Sequence, residues 1–174
     1  MKKGLILGRF QPFHLGHLRL IRTVMDDDLE PLICIGSAQA GLTQDNPFTT
    51  DERKTMIEAV MKTLDCEWGI YEIPDVNNNE LYVSHLETFV PDFDEVYSGN
   101  SLVQKLFKRA GYRIIAPEMV NREVWKGAAI RQAMTEGDEW ETAVPPQIVD
   151  IIHDLNGIEK LQNLAQADPL PPES

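Results

Sequence analysis

The sequence predicts a three-layer α/β fold, a parallel sheet of about five strands doubly wound by helices, with a helical C-terminal part. Three observations carry this reading. Short apolar, β-branched runs recur along the chain, each closed by Gly, Pro or a small polar residue, and they read as buried strands. Segments with helical spacing lie between them. Helix punctuation falls where the periodicity places helix ends.

In order, Leu5-Ile6-Leu7 is the first strand, and Leu18, Ile21 and Met25 mark one face of the first helix. The second strand is Leu32-Ile33-Cys34-Ile35. The second helix carries Met56, Ile57, Val60, Met61 and Leu64, preceded by Thr49 and Glu52 at capping-box spacing. Ile70 to Ile73 is the third strand, Val96-Tyr97 the fourth and Tyr112 to Ile115 the fifth. Between the last two, Leu102, Val103, Leu106 and Phe107 form a helical stripe, and Gly111 stops that helix. Alternating strands and helices imply parallel pairing through right-handed crossovers, with a ligand site at the carboxyl ends of the strands.

From about residue 117 the pattern becomes helical, with one helix from about Ala128 to Met134 and another after Pro145-Pro146, where proline suits a first turn. One domain over residues 1–166 is expected, followed by a flexible tail over 167–174 that contains Pro169, Pro171 and Pro172. The 174 residues include 28 acidic and 16 basic side chains, a formal net charge of −12. That balance excludes a broad electrostatic grip on nucleic acid, so any phosphate must be held by a local pocket. Trp125, Trp140 and Tyr97 are not interleaved with Lys or Arg as a base-stacking groove would be. Cys34 and Cys66 show no metal or disulfide spacing, and no apolar run is long enough for a leader or a membrane span. A reducing cytoplasmic compartment is expected, with no membrane partner.

The chemistry concentrates in Gly8-Arg9-Phe10-Gln11-Pro12-Phe13-His14-Leu15-Gly16-His17, between the first strand and the first helix. Gly8 permits a close turn and Arg9 offers a guanidinium fork. His14 and His17, three apart at a helix start, share one face, and Gly16 leaves the helix N-terminus open to a phosphate. An isolated pair of this kind is often structural, and as zinc ligands it lacks two partners. Neither G-x-G-x-x-G nor G-K-[ST] is present, so this is a nucleotide site of another kind.

These residues resemble the His-x-Gly-His nucleotidyltransferases, and within them the archaeal-type nicotinamide-nucleotide (NMN) adenylyltransferases. The resemblance also rests on Ile35-Gly36-Ser37-Ala38-Gln39, Asn46-Pro47-Phe48-Thr49, Val96-Tyr97-Ser98-Gly99-Asn100 and Gly127-Ala128-Ala129-Ile130-Arg131. It implies a Rossmann-like domain that joins ATP to NMN, giving NAD and pyrophosphate, with Mg2+ or another divalent cation on the ATP phosphates. It implies His14, His17 and Arg131 as catalytic residues, and Gly8, Arg9, Phe10, Gly16, Ser98, Gly99, Asn100, Lys126 and Gly127 on the ATP side. Asp75, Asn79 and Tyr82 would form the NMN side, with Tyr82 stacking on the pyridinium where the family often has Trp. A homo-oligomer, a hexamer among the forms, is also implied.

One departure stands out. Lys126-Gly127-Ala128 replaces the family's Ser-Gly-Thr and loses two hydroxyls able to cap a helix or touch phosphate. Another adenylyl- or cytidylyltransferase, acting on phosphopantetheine or a phosphorylated alcohol, and a nucleotide-sensing module without turnover are the competing readings. His85 reads as structural, and Asp26-Asp27-Asp28 as a solvated turn.

Overall fold

The computed structural model describes residues 1–118 and 121–167. Five strands, β1 (Lys3–Gly8), β2 (Glu30–Ile35), β3 (Gly69–Glu72), β4 (Glu95–Tyr97) and β5 (Arg113–Ile115), form one sheet in the order β3-β2-β1-β4-β5. Every pairing is parallel. Helices α1 (Leu15–Asp26), α2 (Thr50–Met61), α3 (Tyr82–Glu87) and α4 (Ser101–Arg109) make the crossovers, and α5 (Gly127–Glu136), α6 (Pro146–Asp154) and α7 (Gly157–Ala167) follow the sheet. The doubly wound fold is therefore as the sequence predicts.

Strand alternation sends side chains into two cores. Ile6, Ile33, Ile35 and Tyr97 face α1, α2 and the C-terminal helices, whereas Leu5, Leu32, Cys34 and Val96 face α3 and α4. The expected punctuation is present: Thr49 and Glu52 form a reciprocal capping box on α2, Gly111 has φ of 95°, and Pro146 occupies the first turn of α6. α7 and the short 3-10 turn Asn79–Leu81 ahead of α3 carry no signal that the sequence reading used. Beyond Ala167, the expected tail lies outside the described residues.

The Asp26-Asp27-Asp28 segment is not merely a solvated turn. The Tyr97 hydroxyl, on a side chain with 0% exposure, donates to Asp27 Oδ2 at 2.6 Å and lies 3.2 Å from Glu95 Oε2. A phenol buried in the core needs an acceptor, and the end of α1 supplies one.

Arg53 of α2 lies among the core side chains despite its charge. It is fully buried. Its Nη1 donates to the carbonyls of Arg9 (3.0 Å) and Gly36 (2.9 Å), and its Nη2 to those of Ser37 (3.1 Å) and Ala40 (3.0 Å) and to Thr50 Oγ1 (3.2 Å). Nε reaches the Thr49 carbonyl at 3.3 Å. The loops after β1 and β2 are thereby tied to the start of α2. A second tie comes from Gln11, 2% exposed, whose amide exchanges both hydrogen bonds with the Phe48 backbone at 2.8 and 2.9 Å. From the far end of the chain, Lys160 of α7 meets Glu52 at 2.9 Å and lies 5.8 Å above the Phe48 ring.

A lysine keeps the charge of Arg53 but has three donors on one atom and no planar fork. Arg53→Lys is expected to lower unfolding free energy by about 3 kcal/mol, because buried carbonyls are left unpaired. Urea denaturation of the two proteins measures this.

Candidate active site

The strand order reverses between β1 and β4, where consecutive connections leave the sheet in opposite directions. Such a crevice is where open α/β sheets take ligands. A cavity of about 230 Å3 occupies it. His14, Gly16 and His17 line it from the start of α1, Ser98, Gly99 and Asn100 from the end of β4, and Arg122, Trp125 and Lys126 from the segment before α5. Seven residues expected at the site thus share one cavity.

The two imidazoles are built into the helix cap. His14 is the N-cap of α1 and its Nδ1 accepts from the Gly16 N–H at 3.0 Å. His17 Nδ1 accepts from the His14 N–H at 3.1 Å, completing a capping box made of two rings instead of hydroxyl and carboxylate. Both Nδ1 atoms act as acceptors, so in the neutral rings the proton sits on Nε2. Neither Nε2 has a hydrogen-bond partner among the described residues. The rings stack with centroids 3.7 Å apart, and Phe10 packs on the other side of His17 at 4.2 Å.

Burial lowers the His14 pKa to about 4, assisted by the Arg131 charge. His17 is also held well below its ordinary value, by burial and then by His14. Both rings are neutral at pH 7 and offer an Nε2–H to the cavity.

The glycines are explained by these rings. A Cβ on Gly8 would lie 3.1 Å from His17 Nε2, and one on Gly16 would lie 2.9 Å from His14 Cε1 and 3.1 Å from the Trp125 carbonyl. Gly16 therefore makes room for His14 and Trp125. Contrary to expectation, its N–H is not open to phosphate, because His14 caps it. Phe10 likewise does not line the cavity with its ring, which is 1% exposed in the core beneath His17.

Arg131, 8% exposed, donates from Nη1 to the Gln11 carbonyl at 2.8 Å. A Cβ on Gly127 would lie 2.6 Å from that same Nη1, so glycine at the helix start is what admits the guanidinium. Arg131 does not line the histidine cavity but a second one of about 240 Å3, shared with Asp45, Ala128 and α7. Arg9 is exposed and close enough to Arg53 and Arg131 to depress both pKa values further after burial. The three guanidinium groups concentrate positive potential at one end of an acidic protein.

Ser98 and Asn100 have structural duties as well. Ser98 Oγ accepts from the Asn100 N–H at 3.0 Å, and Asn100 Oδ1 caps α4 through Leu102 and Val103. Lys126 is the N-cap residue of α5 and makes no side-chain cap bond, as the loss of a hydroxyl there predicts. Its ammonium is half-exposed, 3.7 Å from Glu123.

The three residues expected on the NMN side do not line the histidine cavity. Asp75 accepts from Ser37 Oγ at 3.0 Å and from Gln39 Nε2 at 2.8 Å. Tyr82 is half-buried against the second core, and burial raises its phenol pKa to about 12. Asn79 opens instead into a cavity of about 360 Å3 beside Leu106 and Arg109 of α4. His85 Nε2 is 2.8 Å from the Pro74 carbonyl, the structural role expected of it. Arg53, Gln11, Arg122 and Trp125 were not singled out from sequence as site residues. For Arg53 a signal existed, since it lies three and four residues before Met56 and Ile57 and so shares their buried face.

A parallel sheet with a histidine pair and arginines at its switch point defines a nucleotidyltransferase of the Cytidylyltransferase-like class, and that family matches residues 5–133. Within it, the chain belongs to the nicotinamide-nucleotide adenylyltransferases. It is 42% identical over 168 residues to the relative of that name from Methanoculleus marisnigri, covering 97% of this chain and 100% of the relative. The Thermoplasma acidophilum relative is 42% identical over 171 residues (96% and 94% covered), and that of Archaeoglobus fulgidus 40% over 172 residues (95% and 99%). The fold is also that of a solved structure from Francisella tularensis, a bifunctional NMN adenylyltransferase/ADP ribose pyrophosphatase complexed with AMP and Mn ion. That match has a TM-score of 0.73 at 19% identity, covering 95% of this chain and 52% of that one, so this chain spans about half its length.

Two variants separate cap from chemistry. Asn is a good N-cap but has no Nε2–H, so His14→Asn should keep most of the fold's stability, whereas His14→Ala should lose about 1 kcal/mol. Both should lower turnover about a hundredfold, the scale of removing one preorganised donor. Stability also follows pH. Between pH 6.5 and 4 the unfolded chain takes up a proton at His14 that the folded chain refuses. The stability present above pH 6.5 is therefore lost as pH falls, by about 3 kcal/mol at pH 4. His14→Asn should remove that part of the slope in urea unfolding at a series of pH values.

Proposed function

We propose that this enzyme transfers the adenylyl group of ATP to nicotinamide mononucleotide, giving NAD and pyrophosphate. The observation that carries the reading is the stacked pair of neutral imidazoles, each with an unengaged Nε2–H directed to the cavity at the switch point. A phosphate monoester has a second pKa of about 6, so the NMN phosphate is already an anionic nucleophile at neutral pH and no general base is needed. One of its oxygens attacks the α-phosphorus in line as the bond to the bridging oxygen breaks and pyrophosphate leaves. Catalysis then consists of positioning and of stabilising charge on the transferred group.

His14 and His17 supply that stabilisation as neutral donors, which cost nothing in charge desolvation when the site is empty. Arg131, buried and anchored to Gln11, would hold the β- and γ-phosphates, with Arg9 adding charge at the rim. The Ser98-Gly99-Asn100 turn and Trp125 would flank the adenosine. Lys126 stands where a helix-capping hydroxyl would otherwise act from a fixed place, and its flexible ammonium is suited to holding ATP. The divalent cation, Mg2+ or another, enters on the ATP phosphates as part of the substrate.

Tyr82 would stack on the pyridinium with Asp75 beside it, and Asn79 would join them only after the 74–81 segment closes toward the histidines. Among the described residues no helix is long and apolar enough to cross a membrane. A cytoplasmic homo-oligomer belongs to the same reading, and sedimentation in solution measures its order, a hexamer included. One domain over residues 1–166 is likewise proposed.

Incubation with ATP, Mg2+ and a panel of phosphorylated acceptors should give pyrophosphate and the mass of NAD with NMN. Faster turnover with phosphopantetheine would overturn the reading. Tyr82→Ala should raise the KM for NMN about tenfold with much less effect on ATP. Lys126→Ala should raise the KM for ATP several-fold at nearly unchanged kcat, and more at low ionic strength because an exposed charge is screened. An unchanged KM at both ionic strengths would leave Lys126 a surface residue.

A further inference from the structure

The motif Gly36-Ser37-Ala38-Gln39 has no part in the mechanism above, yet its side chains are heavily engaged. Beyond β2 the chain runs beside the segment that follows β3: the Ile73 N–H donates to the Ile35 carbonyl at 2.8 Å, and the Ala38 N–H to the Ile73 carbonyl at 3.1 Å. Ser37 has φ of 48°, the left-handed region that a residue with a Cβ enters only when its surroundings hold it there. Two groups do so. Arg53 Nη2 donates to the Ser37 carbonyl at 3.1 Å, and Ser37 Oγ donates to Asp75 Oδ1 at 3.0 Å.

Gln39 completes the arrangement. Its Nε2 donates to Asp75 Oδ2 at 2.8 Å, and its Oε1 accepts from the Asp75 N–H at 3.0 Å. One primary amide thus satisfies a carboxylate and the backbone of the same residue, a pairing that needs a donor and an acceptor side by side. Both oxygens of Asp75 and its N–H are held by a single loop. That loop is in turn held by Arg53, which also grips Arg9 in the phosphate loop.

We infer that Gln39 is a positioning residue for the acceptor: through Asp75 it sets the segment carrying Tyr82 against the loop that carries the phosphate-binding side chains. This rests on the reading that the 74–82 segment takes the nicotinamide half of NMN. Gln39 touches no reacting atom in this role. In-line attack needs the acceptor oxygen within about 3–3.5 Å of phosphorus, so a displaced acceptor segment costs both binding and rate.

The test uses Gln39→Glu, which sets a second carboxylate against Asp75, and the double variant Gln39→Glu/Asp75→Asn, which exchanges donor and acceptor while keeping one carboxylate. Gln39→Glu should raise the KM for NMN about tenfold and lower kcat several-fold, with the KM for ATP within about twofold. Measured against Asp75→Asn alone, the double variant should lose much less than Gln39→Glu loses against the parent, whatever Asp75 itself contributes to NMN. Gln39→Ala, which removes the amide without adding charge, should give the same split in smaller measure if Gln39→Glu does not fold. Unchanged kinetics, an equal rise in both KM values, or the same loss from Gln39→Glu with and without Asp75→Asn would overturn the inference. The product mass from the parent enzyme is determined first. If the parent adenylylates a different acceptor, the NMN reading fails, and the same comparison on that acceptor decides the role of Gln39 separately.

Discussion

Arg53 carries a full positive charge into a place where water does not follow, and among the described residues no carboxylate is within bonding distance of it. Its compensation is a set of carbonyl dipoles drawn from three parts of the chain. Those carbonyls lie in the loops that follow β1 and β2 and at the cap of α2, which would otherwise have to satisfy their own backbone. Removing the guanidinium would orphan several acceptors at once, a larger loss than any single contact at the site. The sheet supplies a platform. The buried cation determines how the loops stand on it.

The same economy appears at α1. In most helices the N-cap is a small polar side chain whose whole task is to satisfy backbone donors. Here that task is given to His14 and His17, and it decides their chemistry. A ring whose Nδ1 accepts from the backbone presents its remaining proton outward, and a ring stacked against another in a poorly hydrated cleft resists a second proton. Tautomer and orientation follow from two backbone hydrogen bonds, and the neutral charge state follows from burial. Gly8, Gly16 and Gly127 are small because His17, His14 and Arg131 occupy the space where their own side chains would be.

Much of this was legible in the sequence. Strand order aside, the α/β alternation, the capping box at Thr49, the stop at Gly111 and the placement of His14, His17 and Ser98 at the strand ends all follow from local periodicity and punctuation. The illegible parts share a cause: they depend on polar side chains bonded to groups far away in the sequence. Gln11 reaches Phe48, Gln39 reaches Asp75, and Tyr97 reaches Asp27. Pattern reading registers such residues as ordinary loop or core positions. Arg53 was hidden by its neighbours, since Asp51-Glu52-Arg53-Lys54 looks like a hydrated charged run until its spacing to Met56 and Ile57 is weighed. In the nucleotide loop Gly16 lines the cavity, whereas the Phe10 ring is turned into the core.

The contact of Lys160 with Glu52 and Phe48 joins one of the last helices to the loop that Gln11 straps down. Proteins are made from the amino end, so the nucleotide loop, β1, β2 and α2 emerge from the ribosome well before α7 exists to brace them. During that interval the Phe48 ring has no ammonium above it and Glu52 has only its helix cap. The brace that α7 gives to the start of α2 is therefore the last of these contacts to become available, although His14 and His17 are among the first residues translated.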